Sequence, residues 1–206
     1  MNKINIRFAN KNDVPSILNI YTPYILNTPI TFEYTAPSIS EFEKRITNIQ
    51  KKYPYLVCEY NNEIIGYAYA SEYKGREAYA YTAELSIYIK KEFKNAHIGR
   101  NLYLALIDIL KMQNFQILYA CITIHKTLYS NVFHKKLGFE EIGYFKKSGF
   151  KDNHWYDTAW YCLEIGDFSI PPKAIKTVNQ LNMKNVEKIL KKYTLKINNN
   201  EKKSTE

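Results

Sequence analysis

Apolar residues follow two rhythms along this chain, and the switches between them mark out the elements. Ile4–Phe8 alternates with period two and reads as a strand. Ile17, Leu18, Tyr21, Tyr24 and Ile25 then recur at helical spacing, with Asp13 placed to cap the helix and Pro15 tolerated in its first turn. Pro37 breaks the chain. Ser40 and Glu43 have capping-box spacing ahead of Phe42, Ile46 and Ile49 on one helical face. Tyr55–Tyr60 and Ile64–Ser71 read as two strands joined at Asn61-Asn62, a pair that tolerates the positive φ angles of a tight hairpin. Ala83–Ile89 is a further strand, and polar Lys90–His97 leads to Gly99 and an amphipathic helix carrying Leu102, Leu106, Ile109 and Leu110. Ile117–Thr123 reads as a buried strand, Val132–Leu137 as a short helix stopped at Gly138, and Gly143–Phe150 and Thr158–Ile165 as closing strands. The predicted order is β-α-α-β-β-β-α-β-α-β-β, without internal repeats, in the α/β (α+β) class.

Residues 1–165 are expected to form one domain and residues 166–206 a basic extension. Asp167–Lys173, with Pro171-Pro172, looks like a linker. Beyond it Ile175, Val178, Leu181, Val186, Leu190 and Tyr193 make an apolar stripe, predicting one helix over 174–193. That stripe can dock on its own domain, the commoner outcome, or on a partner. Asn198–Glu206 is polar, of low complexity, and expected to be disordered.

Charge modifies this picture only slightly. The net charge is +9, but nine lysines against four acids beyond residue 165 account for more than half of it. The excess there reads as a solvated lysine-rich face in preference to a nucleic-acid site. The mild surplus left on the domain suits an anionic cofactor. With 46% hydrophobic residues the chain can build a core, and no apolar run approaches the ~20 residues of a bilayer span. The N-terminus carries no signal-peptide pattern. Cys58, Cys121 and Cys162 sit in separate apolar runs and read as buried free thiols of a reducing, cytoplasmic compartment, with neither a disulfide frame nor a metal site.

A strand that opens through a glycine-containing loop into a helix is a ready phosphate site, because the helix's first N–H groups and its dipole both attract an anion. Here the strand is Leu85–Ile89 and the loop runs from Lys94 to Arg100, which add cationic charge; an ordinary connection would look the same. Ser86–Leu110 resembles the acyl-CoA-binding motif of the GNAT superfamily of N-acetyltransferases, whose loop reads Gln/Arg-x-x-Gly-x-Gly/Ala. Val132–Phe139, ending Leu-Gly-Phe, resembles a later helix of that superfamily. The chain is more narrowly similar to phosphinothricin and methionine sulfoximine or sulfone N-acetyltransferases. The matching pieces are Thr31-Phe32, Tyr53–Val57, Arg76–Tyr79, Thr82–Glu84, Leu102-Tyr103, Gly149–Lys151 and Trp155–Asp157, in the family's order over residues 4–165.

The resemblance implies a mixed, mostly antiparallel sheet with helices on both faces, and acetyl transfer from acetyl-CoA to the primary amine of a small amino-acid-like molecule. It implies no metal and no membrane or nucleic-acid partner, and a homodimer fits it. Glu84 would take the amine's proton, directly or through a water, its pKa raised by Tyr81, Leu85 and Ile87. His134 would protonate the departing thiolate as an imidazolium, with His125 as a competitor. Ile87, Tyr88, Ile89, Lys94, Asn95, His97, Ile98, Gly99, Arg100 and Thr127 would hold acetyl-CoA, and Phe32, Arg76, Tyr79 and Trp155 the acceptor. Arg76 would pair with a carboxylate in bidentate fashion. For these groups the plain alternatives are core packing and surface ion pairs. A Cys121 acyl intermediate is not expected.

The chain departs from the family pattern at several positions. His97 replaces the loop's first glycine and Lys94 its Gln/Arg, predicting weakened but retained cofactor binding if that position needs positive φ. Thr127 stands where an asparagine is expected. Asp152, Asn153 and His154 replace a glycine, and bulk there is expected to narrow the acceptor pocket. Two rivals stay open: an enzyme acetylating a protein N-terminus or polyamine, and a catalytically weak acyl-CoA-binding or nucleic-acid-associated protein.

Overall fold

The computed structural model describes residues 4–93, 97–125 and 130–203. In chain order the elements are β1 (Ile4–Phe8), α1 (Val14–Asn27), α2 (Ile39–Gln50), β2 (Tyr55–Tyr60), β3 (Glu63–Glu72) and β4 (Thr82–Ile89), followed by α3 (Ile98–Met112), β5 (Ile117–Ile124), α4 (Ser130–Lys136), β6 (Glu140–Lys151), β7 (His154–Glu164) and α5 (Met183–Lys203). The strands form one sheet in the order β1-β2-β3-β4-β5-β7-β6. Every neighbouring pair is antiparallel except β4 and β5.

Alternation along the strands divides the core in two. Leu56, Ala68, Leu85, Leu118, Ala120 and Tyr161 face α3 and α5. Tyr55, Val57 and Tyr67 face α1 and α2 on the opposite side. Asn61 and Asn62 take φ of 49° and 67°, the left-handed pair a tight hairpin between β2 and β3 requires. Asp152 and Asn153 do the same at the β6–β7 turn, with φ of 49° and 59°. They are exposed at the hairpin tip, where they take the left-handed backbone that a glycine adopts most easily.

The helix caps differ from those the sequence suggests. Asp13 makes no capping bond to α1. Its carboxylate instead pairs in bidentate fashion with the Arg7 guanidinium and accepts from the Asn10 N–H, closing a capping box on the short 3-10 turn before the helix. The cap of α2 is Ser38, whose hydroxyl accepts from the Glu41 N–H at 3.2 Å; the helix therefore starts before Ser40.

The C-terminal helix also departs from expectation. It begins at Met183, leaving Ile175 and Val178 outside, and runs past Asn198 to Lys203. What extends it is tertiary. Thr194 Oγ1 accepts from the Ile6 N–H, and the Asn198 amide both accepts from the Ile4 N–H and donates to the Ile4 carbonyl. β1 is an edge strand, and two helix side chains four residues apart, a rise of ~6 Å, match its two-residue repeat of ~6.8 Å closely enough to satisfy it. No helix among the described residues is long and apolar enough to cross a membrane.

Candidate active site

β4 and β5 pair over only three positions, Thr82–Ile117, Ala83–Leu118 and Glu84–Tyr119, although β4 continues to Ile89 and β5 to Ile124. Beyond Glu84 the two strands separate, leaving the β5-facing edge of Leu85–Tyr88 without a strand partner. The gap is a cleft of about 490 Å³ lined by residues from both faces of the sheet. Ser86, Tyr88, Cys121 and Thr123 come from the α1 side, Tyr103 and His134 from the α3 side, and Ile30 from the α1–α2 connection.

Glu84 sits where the strands part. It shares a sheet face with Ser86 and Tyr88, next to Ser71 on β3 and Tyr119 on β5. Burial raises its carboxyl pKa above the ordinary value. Leu85 and Ile87 pack in the opposite core, so they do not provide that burial, contrary to the sequence reading. Besides burial, the Glu84 charge raises the pKa of the Tyr69 and Tyr103 hydroxyls and of the Cys121 thiol. These groups therefore share one electrostatic environment.

His134 is 5% exposed, with Nδ1 2.7 Å from the Ser130 carbonyl and Nε2 3.2 Å from the Tyr103 hydroxyl. Burial lowers its pKa more than the Ser130 carbonyl raises it. A carbonyl can only accept, so Nδ1 carries a proton; with burial lowering the pKa the neutral ring is favoured, and in that form Nε2 accepts from Tyr103. A charged ring in this pocket would lose its hydration for one backbone carbonyl. Tyr103 was legible as part of a motif, but nothing in its spacing assigns it to this site.

At the head of α3, His97 has φ of 56°, so the position does require the left-handed backbone a glycine supplies most easily. The His97 side chain makes no capping bond, and among the described residues the first-turn N–H groups are left for an anion. Ile98 is a core residue, and Gly99 packs near Ile87, Ile89 and Phe133. The Arg100 guanidinium donates to the Lys136 carbonyl. Ile87 and Tyr88 line the cleft, whereas the Ile89 carbonyl accepts from the Tyr24 hydroxyl in the core. Lys94, Asn95 and Thr127 lie outside the described residues.

None of the four expected acceptor residues lines the cleft. Phe32 packs on the backbone of Gly149, where an added Cβ would meet its ring at 2.2 Å. Arg76 is exposed and opens a short 3-10 turn. Tyr79 packs edge-on against Tyr73, which contacts Tyr119 and Trp160 on the Glu84 face. Trp155 is 59% exposed beside Phe150. Of the cysteines only Cys58 is buried; Cys121 is accessible because the strands part there. Among the described residues no cluster of His, Cys, Asp and Glu could hold a metal ion.

The strands part beside half-buried Glu84, and a helix follows whose N-cap residue makes no side-chain cap. Residues 6–160 match the family described as acetyltransferase (GNAT) domain. The chain is a GNAT acetyltransferase. It is 32% identical over 169 residues to phosphinothricin N-acetyltransferase of Alcaligenes faecalis, covering 81% of this chain and 86% of that one. It is 28% identical over 162 residues to L-methionine sulfoximine/L-methionine sulfone acetyltransferase of Pseudomonas aeruginosa, covering 78% and 94%. The crystal structure of a phosphinothricin acetyltransferase from Sinorhizobium meliloti in complex with AcCoA superposes with a TM-score of 0.75 at 34% identity, covering 87% of this chain and 95% of that one.

The enzyme is an acyl-CoA-dependent N-acetyltransferase, and its residues suit acetyl-CoA as co-substrate. The uncapped first turn of α3 suits the diphosphate, and the edge left by the parting strands suits an amide-rich arm.

Proposed function

We propose that this enzyme acetylates the primary amine of a small amino-acid-like acceptor of the phosphinothricin or methionine sulfone/sulfoximine type. The observation that carries the chemistry is the position of half-buried Glu84 where β4 and β5 part, at the head of a cleft whose lining begins at the next residue, Leu85, and includes Tyr103 and His134. The acceptor class is supported by what the relatives are named for.

Acetyl-CoA supplies the acyl group already activated as a thioester. Glu84, desolvated and ionised, takes a proton from the ammonium of the acceptor, directly or through one water, freeing the lone pair that attacks. The Tyr103 hydroxyl, held by His134, gives its proton to the departing sulfur as the C–S bond breaks; the phenolate recovers the second proton that the nitrogen sheds on becoming an amide, and Glu84 releases the first to solvent. The free backbone edge of Leu85–Tyr88 offers N–H groups to the carbonyl oxygen as it gains charge. Arg76, outside the cleft lining but exposed and without an ion pair among the described residues, is the candidate partner for the acceptor's carboxylate at the cleft's outer side.

Part of the reading concerns assembly and location. Ile142, Tyr144, Phe145, Phe150 and Trp155 are all 43% or more exposed on the β6–β7 hairpin, and β6 is a sheet edge. Such an apolar edge fits a second copy of the chain, making a homodimer. Free thiols and a need for acetyl-CoA fit a cytoplasmic enzyme.

The test is thiol release from acetyl-CoA across phosphinothricin, methionine sulfone, methionine sulfoximine and spermidine, with wild type beside Glu84→Gln and Arg76→Ala. The reading requires turnover of the amino-acid analogues, a loss of ~10²-fold in Glu84→Gln, and a raised KM in Arg76→Ala for carboxylate-bearing amines only. Turnover of spermidine alone would refute it.

A further inference from the structure

Lys151, the last residue of β6, is 2% exposed. A buried ammonium is normally matched by a carboxylate. Here Nζ donates instead to three backbone carbonyls: Ile25 at 2.6 Å, Thr28 at 2.8 Å and Thr31 at 2.8 Å. Each has a physical reason to accept it. Ile25 lies in the last turn of α1, which ends at Asn27, so its carbonyl has no helical N–H and sits at the negative end of the dipole. Thr28 and Thr31 bracket the turn that follows, and between them Ile30 lines the catalytic cleft.

Two further contacts join the same segments. The Tyr34 hydroxyl donates to the Phe150 carbonyl, and the Phe32 ring lies on Gly149 with no room for a Cβ between them. An ammonium suits this role because its three tetrahedral donors converge on three carbonyls, which a planar guanidinium cannot match.

We infer that Lys151 is a positioning residue: it pins the Thr28–Thr31 turn to the β6–β7 hairpin and so sets Ile30 as the acceptor-side wall of the cleft. The inference rests on reading this cleft as the site of amine acetylation. Lys151 touches neither reactant. It acts through the backbone on either side of Ile30.

The experiment compares full-length wild type with Lys151→Met, which keeps the stem and removes the donors, and with Lys151→Arg. Amide exchange of residues 28–34 should be ~10-fold faster or more in both variants, with the strands of the sheet unaffected. The KM for methionine sulfone should rise ~10-fold, while kcat and the KM for acetyl-CoA stay within about 3-fold. Tyr34→Phe, at an exposed residue that does not threaten folding, should move exchange and amine KM in the same direction by roughly 2- to 4-fold and carries the test if Lys151→Met does not fold. Unchanged exchange at 28–34 overturns the inference. So does an unchanged amine KM, or a uniform loss across kcat and both KM values. If wild type turns over none of the amines, the functional reading fails by itself, and the exchange measurement still decides whether Lys151 holds the turn.

Discussion

The hydroxyl of Tyr103 lies 3.2 Å from Nε2 of His134, and the two residues come from different helices on the same side of the sheet. Because His134 also spends Nδ1 on the Ser130 carbonyl, the imidazole is committed to holding the phenol and has no second donor to offer the cleft. The pair is expected to act as a unit. Tyr103→Phe and His134→Ala should each lower kcat by ~10- to 100-fold, and the double variant should cost little more than the worse single one. Additive losses would mean two independent roles. With the His134 pKa lowered by burial, kcat should show no imidazole titration limb between pH 6.5 and 8.

Glu84 governs the acid side of the pH profile. A base works only when ionised, and burial raises this carboxyl's pKa, so activity should fall at a higher pH than the ordinary glutamate value of ~4.3 would give. The limb should be absent from the residual activity of Glu84→Gln. A limb that survives in that variant would assign it to another group.

Cys121 lines the cleft, but its thiol is pushed up to about 11, by burial first and then by the Glu84 charge. At pH 7 that leaves on the order of one thiolate in 10⁴. Cys121→Ala should therefore keep kcat within about 3-fold, and mass spectrometry after acetyl-CoA addition should find no acetylated enzyme. An acetyl adduct on Cys121 would reverse this assignment.

Asp13 contributes to stability through Arg7, which it engages at 2.6 and 2.8 Å while accepting from the Asn10 N–H at 2.7 Å. Burial pushes the carboxyl pKa up, but the Arg7 hydrogen bonds, the Asn10 N–H and the Arg7 charge outweigh it and leave the pKa below normal. A depressed folded-state pKa stabilises the fold above the unfolded value of ~3.9 and is lost as pH falls through the folded one. Asp13→Asn should cost about 1–3 kcal/mol at pH 7 in urea unfolding, and the gap should narrow below pH 4. An equal gap at pH 7 and pH 3 would exclude the ion pair as its source.

Features that depend on neighbours in the chain were legible in the sequence. The strand β4 was read from its apolar run, although placing Leu85 and Ile87 around Glu84 overlooked the alternation that puts them on the opposite face. Asn61-Asn62 announces its hairpin, and Gly138, at φ of 90°, announces the end of α4. These signals reach two to four residues, the range of a turn or a strand repeat. The family motif picked out β4 and α4, two of the elements that flank the cleft.

Only the tertiary structure decided the rest, because pairings between distant residues leave no period to read. Tyr103 meets His134 across 31 positions, and Lys151 reaches the carbonyls of Ile25, Thr28 and Thr31 across 120 to 126. Asn198 closes the edge of β1 across 194. In each case the partner is a buried polar group or a strand edge that would otherwise lie unsatisfied. What fills it depends on which surface the folded chain brings within hydrogen-bonding reach, not on local propensity.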